Sequence, residues 1–143
     1  AQARSLLVVE PRGRYARRMP VVVDASVVAA ALFDEPQRLD ASEALDGAEA
    51  HTPDLLDHEL VSVASKKQRA GLGGAVRDSL DMLRTLEITR HRVDPVVQWE
   101  LASQHDLSAY DAAYLALALE LGCPLITFDR KLGAAARRVL RGS

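Results

Sequence analysis

An α/β fold with a mostly parallel central sheet flanked by helices is predicted from three observations. Short apolar runs alternate with helical patterns of roughly 10–15 residues, the signature of βαβ units. Helix-stop and helix-start residues, notably Gly47, Ser108 and Gly122, fall between those segments. The chain has 143 residues, 48% hydrophobic and 27% charged, which suits a single soluble globular domain with a real core.

The elements follow in order from Pro20. Val21–Val23 is a strand, and Ala25–Phe33 is a helix stopped by Asp34-Glu35-Pro36. Gln37–Leu45 forms a second helix ended by Gly47, and Ala50-His51-Thr52 a short strand. Thr52 or Asp54 is expected to cap the next helix, with Pro53 in its first turn and Arg69 at its end. Gly71, Gly73 and Gly74 separate it from a helix over Ala75–Leu86, whose apolar face is Val76, Leu80, Leu83 and Leu86. Glu87–Val93 alternates as a strand does, and Pro95–His105 is helical. Ser108 caps a helix that runs to Leu121 and stops at Gly122. Leu125–Phe128 is a strand, and Lys131–Leu140 a terminal helix.

Residues 1–19 read as a basic N-terminal extension ahead of a single domain over 20–143, with a short strand at Leu6–Val9. The extension is either a genuine tail or an addition from cloning or start-site choice, since Met19 directly precedes the first strong strand. Five arginines against Glu10 give it a charge of +4, whereas 13 basic and 19 acidic groups give residues 20–143 a charge of −6. A phosphate-bearing substrate therefore needs cations at such a domain. The lone Cys123 excludes an internal disulfide and fits a small buried hydrophobe in a reducing, cytoplasmic setting. No apolar stretch approaches the roughly 18 residues of a membrane span, and no signal peptide is evident.

Four carboxylates stand at element boundaries or on a half-apolar helix: Asp24, Glu59, Asp111 and Asp129. Each has a plain structural reading. Asp24 fits an N-cap, Asp111 the S-x-x-[DE] capping box with Ser108, Asp129 a turn cap, and Glu59 a solvated helix position. Taken together they suggest one oxygen-rich site, because ligands of open α/β sheets bind beyond the carboxyl ends of the strands. Other chemistry lacks support. His58-Glu59 does not continue to H-E-x-x-H because position 62 is Ser, and His51, His91 and His105 have no ligand spacing. Nucleotide-binding glycine motifs and G-x-S-x-G are missing. Tyr110 and Tyr114 are an i, i+4 pair that reads as packing, with base stacking as the other option. Lys66, Lys67 and Arg69 read as a solvated helix end or as RNA-backbone contacts.

The segments Val21-Val22-Val23-Asp24-Ala25-Ser26, Pro53 with Leu55, Glu59 and Leu60, Tyr110-Asp111-Ala112-Ala113-Tyr114, and Leu125-Ile126-Thr127-Phe128-Asp129 resemble the PIN domain. More narrowly, they resemble VapC-type toxins of bacterial toxin–antitoxin pairs. The resemblance spans residues 20–140 and departs at Ser62, where many members carry Asn. It implies a metal-dependent endoribonuclease with Asp24, Glu59, Asp111 and Asp129 as the acidic quartet. Ser26 and Thr127 are then its hydroxyl support, and Mg²⁺, or Mn²⁺, its cofactor. Asp24 and Asp111 are expected to contact the main ion, directly or through water. Glu59 and Asp129 are expected to orient water or complete a second, weaker ion site. RNA, a cognate antitoxin protein and a second copy in a homodimer are the implied partners. The basic tail would then mimic antitoxin arginines, grip RNA phosphates, or stay disordered. Two alternatives remain: a phosphohydrolase or phosphoacceptor using Asp24, and a non-catalytic RNA- or protein-binding module.

Overall fold

The computed structural model describes residues 5–10 and 19–141. Arg4, Arg12, Arg14, Arg17 and Arg18 of the extension lie outside the described residues. Five strands form one sheet: β1 (Leu7–Val9), β2 (Pro20–Val23), β3 (Glu49–Pro53), β4 (Ile88–His91) and β5 (Leu125–Thr127). Their order across the sheet is β1-β5-β2-β3-β4. β2 is parallel to β3 and β5, β3 is parallel to β4, and β1 alone runs antiparallel, against β5. The expected mostly parallel sheet is present.

Helices α1 (Ala25–Leu32) and α2 (Arg38–Asp46) connect β2 to β3, and α3 (Leu56–Arg69) and α4 (Val76–Leu83) connect β3 to β4. α5 (Pro95–His105) and α6 (Ala109–Leu121) lead back to β5, and α7 (Arg130–Ala136) follows it. Side chains alternate between the faces of a strand, so β2 serves two cores. Val21 and Val23 pack with Ile126, Val27, Val28, Leu56 and Leu60 on the side of α1 to α4. Val22 packs with Leu125, Tyr114, Leu115 and Leu132 on the side of α5 to α7. Covering both faces explains why β2 and β5 are continuous apolar runs. Cys123 is buried, as expected, and burial pushes its thiol up to about 11, which leaves it inert at neutral pH.

Two sequence expectations are corrected. Pro53 does not open α3; it ends β3, opposite His91, and the Asp54 amide donates to the His91 carbonyl at 2.8 Å. The sheet thus takes the backbone that a cap at Thr52 or Asp54 requires, and α3 starts after Leu55 with no side-chain cap. The second correction is at the C-terminus, where the α-helix ends at Ala136 and the wider π turn Arg137–Arg141 completes the segment. His51 and His91, which have no ligand spacing in sequence, meet across β3 and β4. Their Nδ1 and Nε2 share a hydrogen bond at 2.7 Å, and His51 Nε2 reaches Glu49 at 2.9 Å.

The chain leaves β2 in one lateral direction, toward β3 and β4, and comes back to β5 on the other side. A topological switch therefore lies between β2 and β5, where open α/β sheets form their crevice. Asp24 and Asp129 follow those two strands.

Candidate active site

Four helix N-termini meet at the carboxyl edge of the sheet, and each carries one of the four acids. Asp24 is the N-cap of α1, its Oδ1 accepting from the Val27 amide at 3.3 Å. Asp129 caps α7 through the Leu132 amide at 3.0 Å. Asp111 lies in the first turn of α6 behind Ser108, whose Oγ accepts from the Asp111 amide at 3.0 Å. Glu59 lies in the first turn of α3. The plain capping readings of Asp24 and Asp129 therefore hold, and the same geometry turns the carboxylates toward one another.

Asp24 is the centre of the arrangement and is only 4% exposed. Two relays hold it. The Phe128 amide donates to Ser26 Oγ at 3.2 Å, and Ser26 donates to Asp24 Oδ1 at 2.6 Å. In parallel, the Asp129 amide donates to Thr127 Oγ1 at 2.9 Å, and Thr127 donates to Asp24 Oδ2 at 2.5 Å. Backbone amides at the exit of β5 thus fix both hydroxyls as donors, and the hydroxyls fix both carboxylate oxygens. The Asp24 amide also bonds the Ile126 carbonyl at 3.1 Å, which continues the β2–β5 pairing to this residue.

Burial sets the electrostatics. It raises the Asp24 carboxyl to about 6, against the opposing pull of Ser26, Thr127 and Val27 and with a further push from Asp111. Burial also raises Glu59, helped by the charges of Asp24 and Asp111. Asp111 is raised by burial and then by Asp129, while Ser108 and Lys131 act weakly the other way. Helix N-termini favour carboxylates by only about 0.3–1 kcal/mol at exposed positions, so here burial and mutual repulsion prevail. Asp24 and Glu59 feel the Asp111 charge, and Asp111 feels that of Asp129, which links the four in one electrostatic cluster. Among the described residues no ion pair involves any of them.

Sequence reading missed Tyr114. Only 1% exposed, it donates its phenol hydroxyl to Glu59 Oε1 at 2.7 Å. Burial and the Glu59 charge hold that phenol well above its usual range, so it stays a donor. The signal was present, because Asp111 and Tyr114 are i, i+3 neighbours on one helix face. Tyr110, by contrast, is 61% exposed. The packing reading holds for Tyr114, which lies in the core, whereas Tyr110 faces outward.

A mutually repelling set of oxygen donors, Asp24 buried and the other three part-buried, fits a hard divalent cation. Among the described residues no three His, Cys, Asp or Glu side chains are placed to hold a metal ion together. Mg²⁺ does not need three, since it is commonly bound through one or two carboxylates and keeps several waters.

A PIN domain family model matches residues 21–138. The VapC ribonuclease Mb0985 of Mycobacterium bovis is 40% identical over 116 residues, covering 78% of this chain and 87% of the relative. Ribonuclease VapC3 of Pyrobaculum aerophilum is 33% identical over 121 residues, covering 80% and 92%. The crystal structure of PAE2754 from Pyrobaculum aerophilum superposes with a TM-score of 0.68 at 22% identity, covering 86% of this chain and 89% of that one. That likeness supports the fold.

Proposed function

This chain belongs to the PIN domain family, and from that membership we propose that it is a Mg²⁺-dependent endoribonuclease, the toxin of a toxin–antitoxin pair. The observation that carries the reading is the clustering of Asp24, Glu59, Asp111 and Asp129 at the sheet's switch point with no ion pair to any of them among the described residues. Two of the relatives are named VapC ribonucleases, which supports RNA as the substrate and a cognate antitoxin as the inhibitor.

Asp24 and Asp111 are the residues to hold Mg²⁺ or Mn²⁺, with Glu59 and Asp129 beside them. A bound divalent ion supplies water activation and neutralises charge that develops on the phosphate during in-line displacement. The chain's own groups do the rest. The Ser26 and Thr127 relays keep Asp24 in one rotamer, and with the Val27 amide they leave one acceptor position, on Oδ2, for the ion. Tyr114 occupies Glu59 Oε1, which leaves Oε2 to orient the attacking water and take its proton. Asp129, fixed to the Leu132 amide through Oδ1, has Oδ2 for a second water. The phosphoacceptor alternative fits poorly, because Asp24 is buried and both its oxygens are engaged.

Incubation of the purified chain with single-stranded RNA is expected to give endonucleolytic products with Mg²⁺ or Mn²⁺ and none after EDTA. RNA binding without cleavage across titrations of both ions would instead support the non-catalytic module. Tyr114→Phe tests the support of Glu59. A hydrogen bond to a charged group is worth about 1.5–3 kcal/mol, so cleavage is expected to fall about tenfold or more with folding retained. An unchanged rate would dissociate Tyr114 from the chemistry.

A further inference from the structure

Beside the acids runs a groove of about 540 Å³ whose wall includes Ser26, Glu59, Ser62, Lys66 and Tyr110. Its volume falls within the range of small-molecule sites. On α3, Glu59, Ser62, Val63 and Lys66 stand at i, i+3, i+4 and i+7, one continuous face. Lys66 is therefore about 10 Å along the helix from Glu59. The two neighbouring lysines differ. Lys67 is engaged, pairing with Glu35 at 2.8 Å and lying over the Phe33 ring at 5.9 Å. Lys66 is exposed into the groove, and among the described residues it makes no ion pair. Across from it Tyr110, one residue before Asp111, presents an exposed ring. Ala29 and Ala30 of α1, also in the wall, keep side-chain bulk out of the space between.

Resting on the ribonuclease reading above, we propose that this groove is a subsite for the nucleotide adjoining the scissile phosphate, with Tyr110 stacking its base and Lys66 contacting its phosphate. An aromatic ring opposite a cation, continuous with an acidic crevice, is the pairing that single-stranded nucleic acids use: bases stack on rings and phosphates meet cations. With the scissile phosphate at the acids' end of the groove, Lys66 attracts the strand toward the other end, which sets the path of the backbone. Tyr110 and Lys66 are positioning residues here, distinct from the quartet.

The test is cleavage kinetics on a short single-stranded oligoribonucleotide that carries a site mapped with the wild-type protein. Base stacking is worth about 1–3 kcal/mol by alanine substitution, so Tyr110→Ala is expected to raise KM about tenfold to hundredfold. Tyr110→Phe keeps the ring and is expected to keep KM. Lys66→Gln is expected to flatten the slope of log KM against log salt by about 0.7, one phosphate contact on a single strand. An abasic residue at the stacked position, found by moving it along the substrate, is expected to raise KM for the wild type and to have no further effect on Tyr110→Ala. A structural role for Tyr110 would not show that base-dependent coupling. If Tyr110→Ala has the wild-type KM, as it would were the groove a seat for a protein segment, the subsite is wrong while the ribonuclease stands. If both proteins suffer the same abasic penalty, the stacking assignment fails. No cleavage of any RNA by the wild type removes the ribonuclease reading first, and the subsite with it.

Discussion

Asp24→Asn is expected to lower metal-dependent RNA cleavage by about 10³-fold or more, because a divalent ion contributes several kcal/mol of charge stabilisation. The fold is expected to survive. Asparagine caps a helix as well as aspartate does, so the Val27 amide keeps its acceptor, and the side chain keeps its shape. The difficulty is confined to the hydroxyls. Thr127 Oγ1 already accepts from the Asp129 amide and Ser26 Oγ from the Phe128 amide, so both must donate toward residue 24. An amide offers one oxygen where the carboxylate offers two, so one hydroxyl loses its acceptor at roughly 1–3 kcal/mol. Removal of a buried charge offsets that loss. Asp111→Asn is expected to reduce cleavage similarly with less structural consequence, since Asp111 is only part-buried and its backbone amide keeps the bond to Ser108 Oγ. Cleavage rates together with thermal melting of each purified variant provide the check. Undiminished cleavage by either variant would sink the assignment of the quartet.

The legibility of this fold and site in the sequence depends on how local each signal is. Alternating apolar and helical segments announce α/β layers, and the caps Ser108 and Gly122 fall where local chemistry requires. The order of strands is not a local property. A connection between β4 and β5 has the same composition whichever side of β2 the chain returns to, so the switch point emerges only in three dimensions. The α3 start was misjudged for a related reason: Thr52-Pro53-Asp54 has good capping residues, but pairing with β4 claims them first. In the site, Asp24, Asp111 and Asp129 each read alone as a cap and Glu59 as a solvated helix residue, and the first three do sit at or next to a side-chain cap. What sequence cannot convey is that four helix N-termini converge, and that convergence is what makes the carboxylates repel. Ser26 and Thr127 were visible as neighbours of Asp24 and Asp129. Their joint grip on Asp24 depends on the β2–β5 pairing, a contact between residues 103 positions apart. Tyr114 was hidden by its resemblance to an ordinary core aromatic.

Without divalent ions, raising the pH from 4 to 8 is expected to weaken the folded state through Asp24 by about 2 kcal/mol, a difference carried by a carboxyl raised from 3.8 to about 6. The sign follows from proton linkage. The folded state binds this proton more tightly than the unfolded chain does, so the stabilisation is complete below pH 3.8. It is lost as the pH climbs through 6, where folding must keep a buried carboxylate ionised. Glu59 and Asp111 are raised for the same reason, burial first, and add in the same direction. Many other groups titrate over this range, so the informative quantity is the Tm of wild type minus that of Asp24→Asn at each pH. That difference is expected to fall as the pH rises from 4 to 7, because the variant has no proton to lose there. A divalent ion binds the ionised cluster of the folded state alone and stabilises it by mass action. Mn²⁺ or Mg²⁺ is therefore expected to raise the wild-type Tm more at pH 7 than at pH 4.5, and to move Asp24→Asn far less. A Tm difference that is flat with pH would show that Asp24 is already compensated in the folded protein, and the argument for a cation at this crevice would lose its physical basis.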